Sequence, residues 1–201
     1  MLDRAERMGA EYVEILKRGA GRLLKAPTLW EDAAKTLFTT NCTWALTLKM
    51  CDAVCRDTFF DASPAGNFPF PGPEKIVKYS PAQLQQLLPV GYRAEYFRTL
   101  AELFAEDPDL HNIESKTLSY KEADKVVRGI KGFGNYATAH LLVLAGYFEE
   151  VPIDTVVVAY LKEHHRVRKP HSFVDRTYKK WGPYKWWGFK LETLIRQQGE
   201  D

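Results

Sequence analysis

Two glycines, Gly132 and Gly134, stand between two stretches of helical periodicity and make the most restrictive geometric demand in the chain. Before them, Ala123, Val126, Val127 and Ile130 recur at i, i+3, i+4 and i+7, the spacing of one helix face. Ser119 with Glu122 three residues on reads as a capping box at the start of that helix. The segment Ile130-Lys131-Gly132-Phe133-Gly134 then turns more tightly than residues with side chains allow. Asn135 to Ala145 is expected as a second helix, stopped at Gly146. Asp154 follows eight residues after that stop. The order helix, glycine hairpin, helix, acid carries most of the functional information in this sequence.

A chain of 201 residues is one domain or two small subdomains, long enough to bury a real core. Its net charge of +2 does not announce a nucleic-acid binder, so any such surface has to come from local clustering. Cys42, Cys51 and Cys55 lack the further Cys or His spacing of a zinc or iron–sulfur site and are expected as reduced, structural thiols. No signal peptide is apparent, and no apolar run approaches the roughly 20 residues that span a membrane. A soluble, intracellular protein is expected.

Along the chain, residues 1–25 read as one amphipathic helix with Tyr12, Val13 and Leu16 on one side. Thr28 and Glu31 suggest a capping box before Trp30, Ala33, Ala34, Leu37 and Phe38. Thr39-Thr40-Asn41-Cys42-Thr43 is a polar, amide-bearing break, either a capping device or a site. The next helix is expected to turn Trp44, Leu48, Cys51 and Cys55 to one face. Asp61 to Gly72 is loop-like in composition, Ser80-Pro81 starts a helix, and Gly91-Tyr92-Arg93 starts another that ends near Asp107-Pro108-Asp109. Asp154 is a good N-cap, which favours a helix over a strand for Thr155–Val158. His164 to His171 is the densest basic cluster, read as a solvated loop or, through its histidines, a metal site short of acidic partners. Ser172 and Asp175 are candidate caps for the helix ending near Trp181-Gly182-Pro183, and Trp187, Leu191, Leu194 and Ile195 line the last helix. Nine or ten helices, no strand pair and no repeat make an all-α fold.

A glycine turn between helices gathers backbone N–H groups near the positive end of the second helix, which suits a phosphate oxygen. Such contacts position a duplex without reading its bases. Taken together, Ile130 to Ala139 and Val151-Pro152-Ile153-Asp154-Thr155 resemble the helix-hairpin-helix and Gly/Pro-rich–Asp signature of the DNA glycosylase superfamily. Thr39 to Trp44 resembles that family's Ser/Thr–Asn/Gln turn, and Gly91 to Tyr96 its Gly-Tyr-Arg helix start. Trp181-Gly182-Pro183-Tyr184 is similar to a late motif of the alkyladenine and 8-oxoguanine branches. The four motifs cover roughly residues 28–196 in the expected order.

The resemblance implies two all-α subdomains with a cleft between them, approximately residues 1–55 with 155–201 and residues 56–154 bearing the hairpin. It implies an enzyme acting as a monomer on double-stranded DNA, flipping a damaged base and hydrolysing its N-glycosidic bond. Asp154 would be the catalytic carboxylate, stabilising positive charge on the sugar and orienting water. Lys131, Gly132, Phe133, Gly134 and Asn135 would hold phosphate. Asn41 would fill or read the gap left by the flipped base. Trp44, Trp181 or Tyr184 would stack on that base.

Relatives that also nick the strand carry a Lys where this chain has Tyr136, so a monofunctional enzyme is expected. Tyr136 would line the pocket or be a core aromatic. Alkylated purines are favoured as substrate with 8-oxoguanine close behind. No cofactor is implied, apart from a structural monovalent cation for which the hairpin carbonyls would serve. The position before the first hairpin glycine, where Pro is usual, is Lys131, and neither the β-rich N-terminal domain nor the iron–sulfur cluster of some relatives is expected here. The competing readings are a non-catalytic DNA-binding module and an all-α protein-interaction domain, the second of which leaves the hairpin–acid spacing unexplained.

Overall fold

The computed structural model describes residues 1–56, 69–106 and 108–199, and these are helical with no strand. In chain order the helices are α1 (Leu2–Met8), α2 (Ala10–Lys17), α3 (Leu29–Thr39), α4 (Trp44–Arg56), α5 (Pro73–Ile76), α6 (Pro81–Leu87) and α7 (Arg93–Glu106). There follow α8 (Pro108–Glu114), α9 (Tyr120–Arg128), α10 (Asn135–Leu144), α11 (Thr155–His165), α12 (Pro170–Thr177) and α13 (Lys185–Gly199). A short 3-10 segment, Lys179–Tyr184, precedes α13. Among the described residues no helix is long and apolar enough to cross a membrane. The expected loop over Asp61–Gly72 lies outside the described residues as far as residue 68.

The chain divides into two compact units, one of residues Met1–Leu24 and Leu142–Asp201, the other of Lys25–Leu141. Residues 25–55 therefore go with the hairpin, not with the C-terminal helices where the sequence reading puts them. The reason is packing: α3 lies against both α4 and α7. Trp30 of α3 stacks on Phe97 of α7 with centroids 5.6 Å apart, and Phe38 meets the same ring edge-on at 5.0 Å. The indole N–H of Trp30 donates to the Pro71 carbonyl at 2.7 Å, so this buried ring leaves no orphaned donor.

Local chemistry explains where the helices start. Ser119 and Glu122 form a full capping box on α9, and Ser80 and Gln83 form another on α6, with Pro81 in its first turn. At α3 only half of the expected box exists. Thr28 Oγ1 accepts from Glu31 N–H, but the Glu31 carboxylate turns to Lys35 at 2.5 Å. The single helix expected over 1–25 is two, α1 and α2, broken at Gly9, where a Cβ would sit 2.4 Å from the Glu11 carboxylate. Ser172 and Asp175 cap nothing: α12 begins at Pro170, which leaves both inside it.

The expected face of α4 is also corrected. Its buried residues are Thr47, Met50 and Val54, whereas Trp44 and Leu48 are 68% and 51% exposed. The other unit packs around Ile15, Leu161, Tyr178, Trp181, Phe189 and Leu191.

Candidate functional site

The hairpin is assembled within its own unit. Gly132 has φ 94, and a Cβ on it would lie 3.0 Å from both the Leu37 and Tyr96 side chains, so conformation and space both require glycine there. Phe133 is a core residue, 6% exposed, and its N–H donates to the Ile130 carbonyl at 3.0 Å. It therefore shapes the turn from beneath and offers no amide to a phosphate. Gly134 differs, since a Cβ there would meet nothing within 4 Å. The first bond of α10 runs from Thr138 N–H to the Gly134 carbonyl at 2.9 Å, leaving the N–H groups of its first turn ahead of the helical ladder.

Side chains brace this turn. Arg128 Nη1 donates to Asn135 Oδ1 at 2.7 Å while its Nε pairs with Asp124 at 2.8 Å, tying the end of α9 to the start of α10. Lys131 Nζ lies 2.6 Å from the Glu95 carboxylate and 5.5 Å from the Tyr96 ring. That hydrogen bond, with the charge behind it, holds the Lys131 ammonium above its usual range.

The polar turn before α4 comes to the same place. Thr39 and Thr40 hydroxyls donate back to the Thr36 and Leu37 carbonyls, and Thr43 Oγ1 accepts from Leu46 N–H at the head of α4. Those threonines do the capping. Asn41 is left exposed at φ 49, in the left-handed region that asparagine tolerates. It joins Thr40, Tyr92, Tyr96 and the hairpin residues 128–134 in lining an open cavity of 580 Å³. The link is Arg93, 4% exposed, whose guanidinium donates to the Thr40 carbonyl. Three separated sequence motifs thus surround one groove whose amide, carboxamide and cationic groups suit an anionic oxygen.

Asp154 belongs to the other unit. Val151 and Ile153 anchor the backbone before it in that unit's core. Asp154 Oδ1 accepts from Val157 N–H at 2.7 Å, so the residue is the N-cap of α11, as its position before Thr155 leads one to expect. Oδ2 has no hydrogen bond among the described residues. Half-buried, the carboxylate is fixed through one oxygen and open through the other.

Against protein-family models and against curated proteins the sequence finds no match. In three dimensions it is similar to MBOgg1, solved with a low-affinity DNA ligand, at 20% identity over 98% of this chain and 70% of that one, with a TM-score of 0.74. An 8-oxoguanine glycosylase/lyase of Clostridium acetobutylicum gives 15%, 94%, 67% and 0.74 for the same quantities. A DNA-3-methyladenine glycosidase of Bacillus halodurans gives 15%, 100%, 91% and 0.72. The chain has the fold of the helix-hairpin-helix DNA glycosylases.

Within this glycosylase fold the expected pocket aromatics part company. Trp181, offered above as a base-stacking residue, is 1% exposed in the core of its unit, edge-on to Tyr12 at 5.3 Å. Its ring lies so close over Gly188 that a Cβ there would be 2.3 Å from it, and no base can reach it. Tyr184 is half-buried against the same core. Trp44 is open to solvent at the head of α4. Tyr136 is half-buried and stacks on His140, one turn further along α10, at 5.6 Å and 24°.

Sequence reading missed Tyr92, Tyr96 and Arg128 as residues of the groove. The i, i+4 relation of Tyr92 to Tyr96, whose rings meet edge-on at 6.0 Å, was the available signal for the two tyrosines. Among the described residues no three His, Cys, Asp or Glu side chains are placed to hold a metal ion. His165 instead hydrogen-bonds Glu192 at 2.8 Å, a partner 27 residues distant in sequence. The cysteines are free thiols, and burial pushes Cys51 up to about 11.

Proposed function

We propose that this protein is a DNA glycosylase that hydrolyses the N-glycosidic bond of a damaged base in duplex DNA. The observation that carries the reading is the half-committed carboxylate of Asp154, capping α11 through Oδ1 with Oδ2 unbonded, in a chain of this fold. As the base departs with the bonding electron pair, positive charge grows on the sugar, and a fixed carboxylate stabilises it. Water then adds at the anomeric carbon and gives up a proton, for which Oδ2 is the acceptor. The hairpin groove, with Lys131, Gly134 and Asn135, holds the phosphodiester backbone, and Asn41 stands at the gap.

The same reading makes the enzyme monofunctional. A Schiff base needs an unprotonated amine at the sugar. Position 136 is a tyrosine stacked on His140, and the amine of Lys131 is kept as ammonium by Glu95. Borohydride should therefore trap no covalent adduct with DNA. An alkylated purine or 8-oxoguanine is the substrate, in keeping with neighbours of both kinds at similar TM-scores of 0.74 and 0.72.

The test is base release from duplexes that each carry one lesion, read as alkali-sensitive strands. Asp154→Asn keeps an N-cap residue, so folding and DNA binding should persist while release falls by at least roughly 10²-fold. A wild-type protein that binds duplexes but releases no base supports the non-catalytic module instead. One that binds no duplex sinks both readings.

A further inference from the structure

Residues 162–180 contain seven Lys or Arg against two acids, whereas the rest of the chain has 21 against 24. The net positive charge of the whole protein is thus gathered in one tenth of its length. Its densest part is the turn between α11 and α12, where Lys162, Arg166, Arg168 and Lys169 are all exposed. Neither nearby acid neutralises it: Asp175 is held by Lys185 at 2.9 Å, and Glu163 faces His164 at 4.0 Å. Arg166, Arg168 and Lys169 make no ion pair among the described residues.

This turn is not a loose solvated loop. Arg166 N–H donates to the Lys162 carbonyl at 3.1 Å and Val167 N–H to the Leu161 carbonyl at 3.2 Å, closing α11 with Arg166 left-handed at φ 52. Val167 packs into the core of its unit. On the one side His165 is locked to Glu192 at 2.8 Å, and on the other Phe173 lies against the His165 ring at 4.9 Å and donates its N–H to Lys169 at 3.1 Å. A left-handed helix end favours Gly or Asn, so an arginine there keeps its charge against a conformational preference. With the backbone already pinned, binding a polyanion orders only the side chains of these cations.

We infer that the α11–α12 turn is a second phosphate-contact surface for duplex DNA, carried by different elements from the hairpin. The assignment of DNA as the polyanion rests on the proposed glycosylase function. Contacts of this kind add affinity without sequence preference and are lost with counterion concentration.

The experiment measures binding of an undamaged fluorescent duplex across a series of salt concentrations. The triple variant Arg166→Asn, Arg168→Gln, Lys169→Gln uses a residue that tolerates the left-handed turn, and all three positions are exposed, so its melting curve should match wild type. Its log K against log salt slope should fall in magnitude by about 2–3. The charge-keeping pair Arg168→Lys, Lys169→Arg should retain the wild-type slope. An unchanged slope in the triple variant, with base release intact in wild type, overturns the inference and leaves the glycosylase reading standing. A reduced slope without any base release in wild type supports the surface while the catalytic reading fails. If only binding to polyglutamate is lost, the turn serves an acidic protein and the DNA assignment is overturned.

Discussion

The hairpin unit and the unit that carries Asp154 treat their motif tryptophans in opposite ways: Trp44 is 68% exposed and Trp181 1%. In the first, Asn41, Lys131 and Gly134 line the open groove and Trp44 stands in solvent, while Phe133 of the hairpin goes into the core with Trp30, Phe38 and Phe97. In the second, the aromatic at the head of the late motif goes inside. Trp181 fills the core over Gly188, and Asp154 and the basic turn are what remain accessible. The difference teaches that a motif tryptophan is not by itself a stacking surface. For Trp181 the missing side chain of Gly188 makes the room that the ring fills.

Trp181 and Trp44 give the largest test of that contrast. Trp181→Ala should cost about 3–5 kcal/mol, because it removes a fully buried indole and leaves a cavity. Trp44→Ala should change stability by less than about 1 kcal/mol, since its ring is mostly in water. Urea denaturation of both variants measures the two numbers. Comparable losses would break the comparison.

The two hairpin glycines sharpen it at the next scale. Gly132→Ala places a methyl in contact at 3.0 Å and forces a left-handed φ, for an expected cost of about 1–3 kcal/mol. Gly134→Ala enters open space, so the melting temperature should hold. Only an approaching partner would meet that new methyl. Duplex affinity that falls in Gly134→Ala at unchanged stability would mark a surface of contact, and unchanged affinity would assign the second glycine to the turn alone.

Much of this was legible from local chemistry. The capping box of α9, the hairpin and the cap at Asp154 are each set within four or five residues, so periodicity and turn propensity locate them. The bond from Arg93 to Thr40 joins residues 53 apart, and neither sequence position hints at the other. The burial of Trp181 depends on α2 and α13, and the exposed side of α4 on what packs against Met50 and Val54. A helical repeat alone fits several faces; Trp44, Leu48, Cys51 and Cys55 satisfied the spacing as well as Thr47, Met50 and Val54 did. Tertiary packing chose between them.

The smallest expected effect separates the acids of the two units. Asp154 is a half-buried cap, but Asp32 is 6% exposed at the base of α3, accepting from Ala26 N–H at 2.9 Å. Burial pushes its carboxyl up, against the opposing pull of the Ala26 hydrogen bond and the Lys25 charge. A folded-state value raised above the unfolded one means that folding takes up a proton. Its stabilising contribution is complete below the unfolded value, near 3.9 for an aspartate, and is lost as pH rises through the folded value. Asp32→Asn keeps an acceptor for Ala26 N–H and removes the titration. Thermal melts between pH 3 and 7 should therefore show the variant gaining on wild type as pH rises, by no more than about 1 kcal/mol at neutrality. A variant that instead loses ground above pH 5 would mean that Lys25 and Lys35 outweigh burial, and that this acid is held in its charged form.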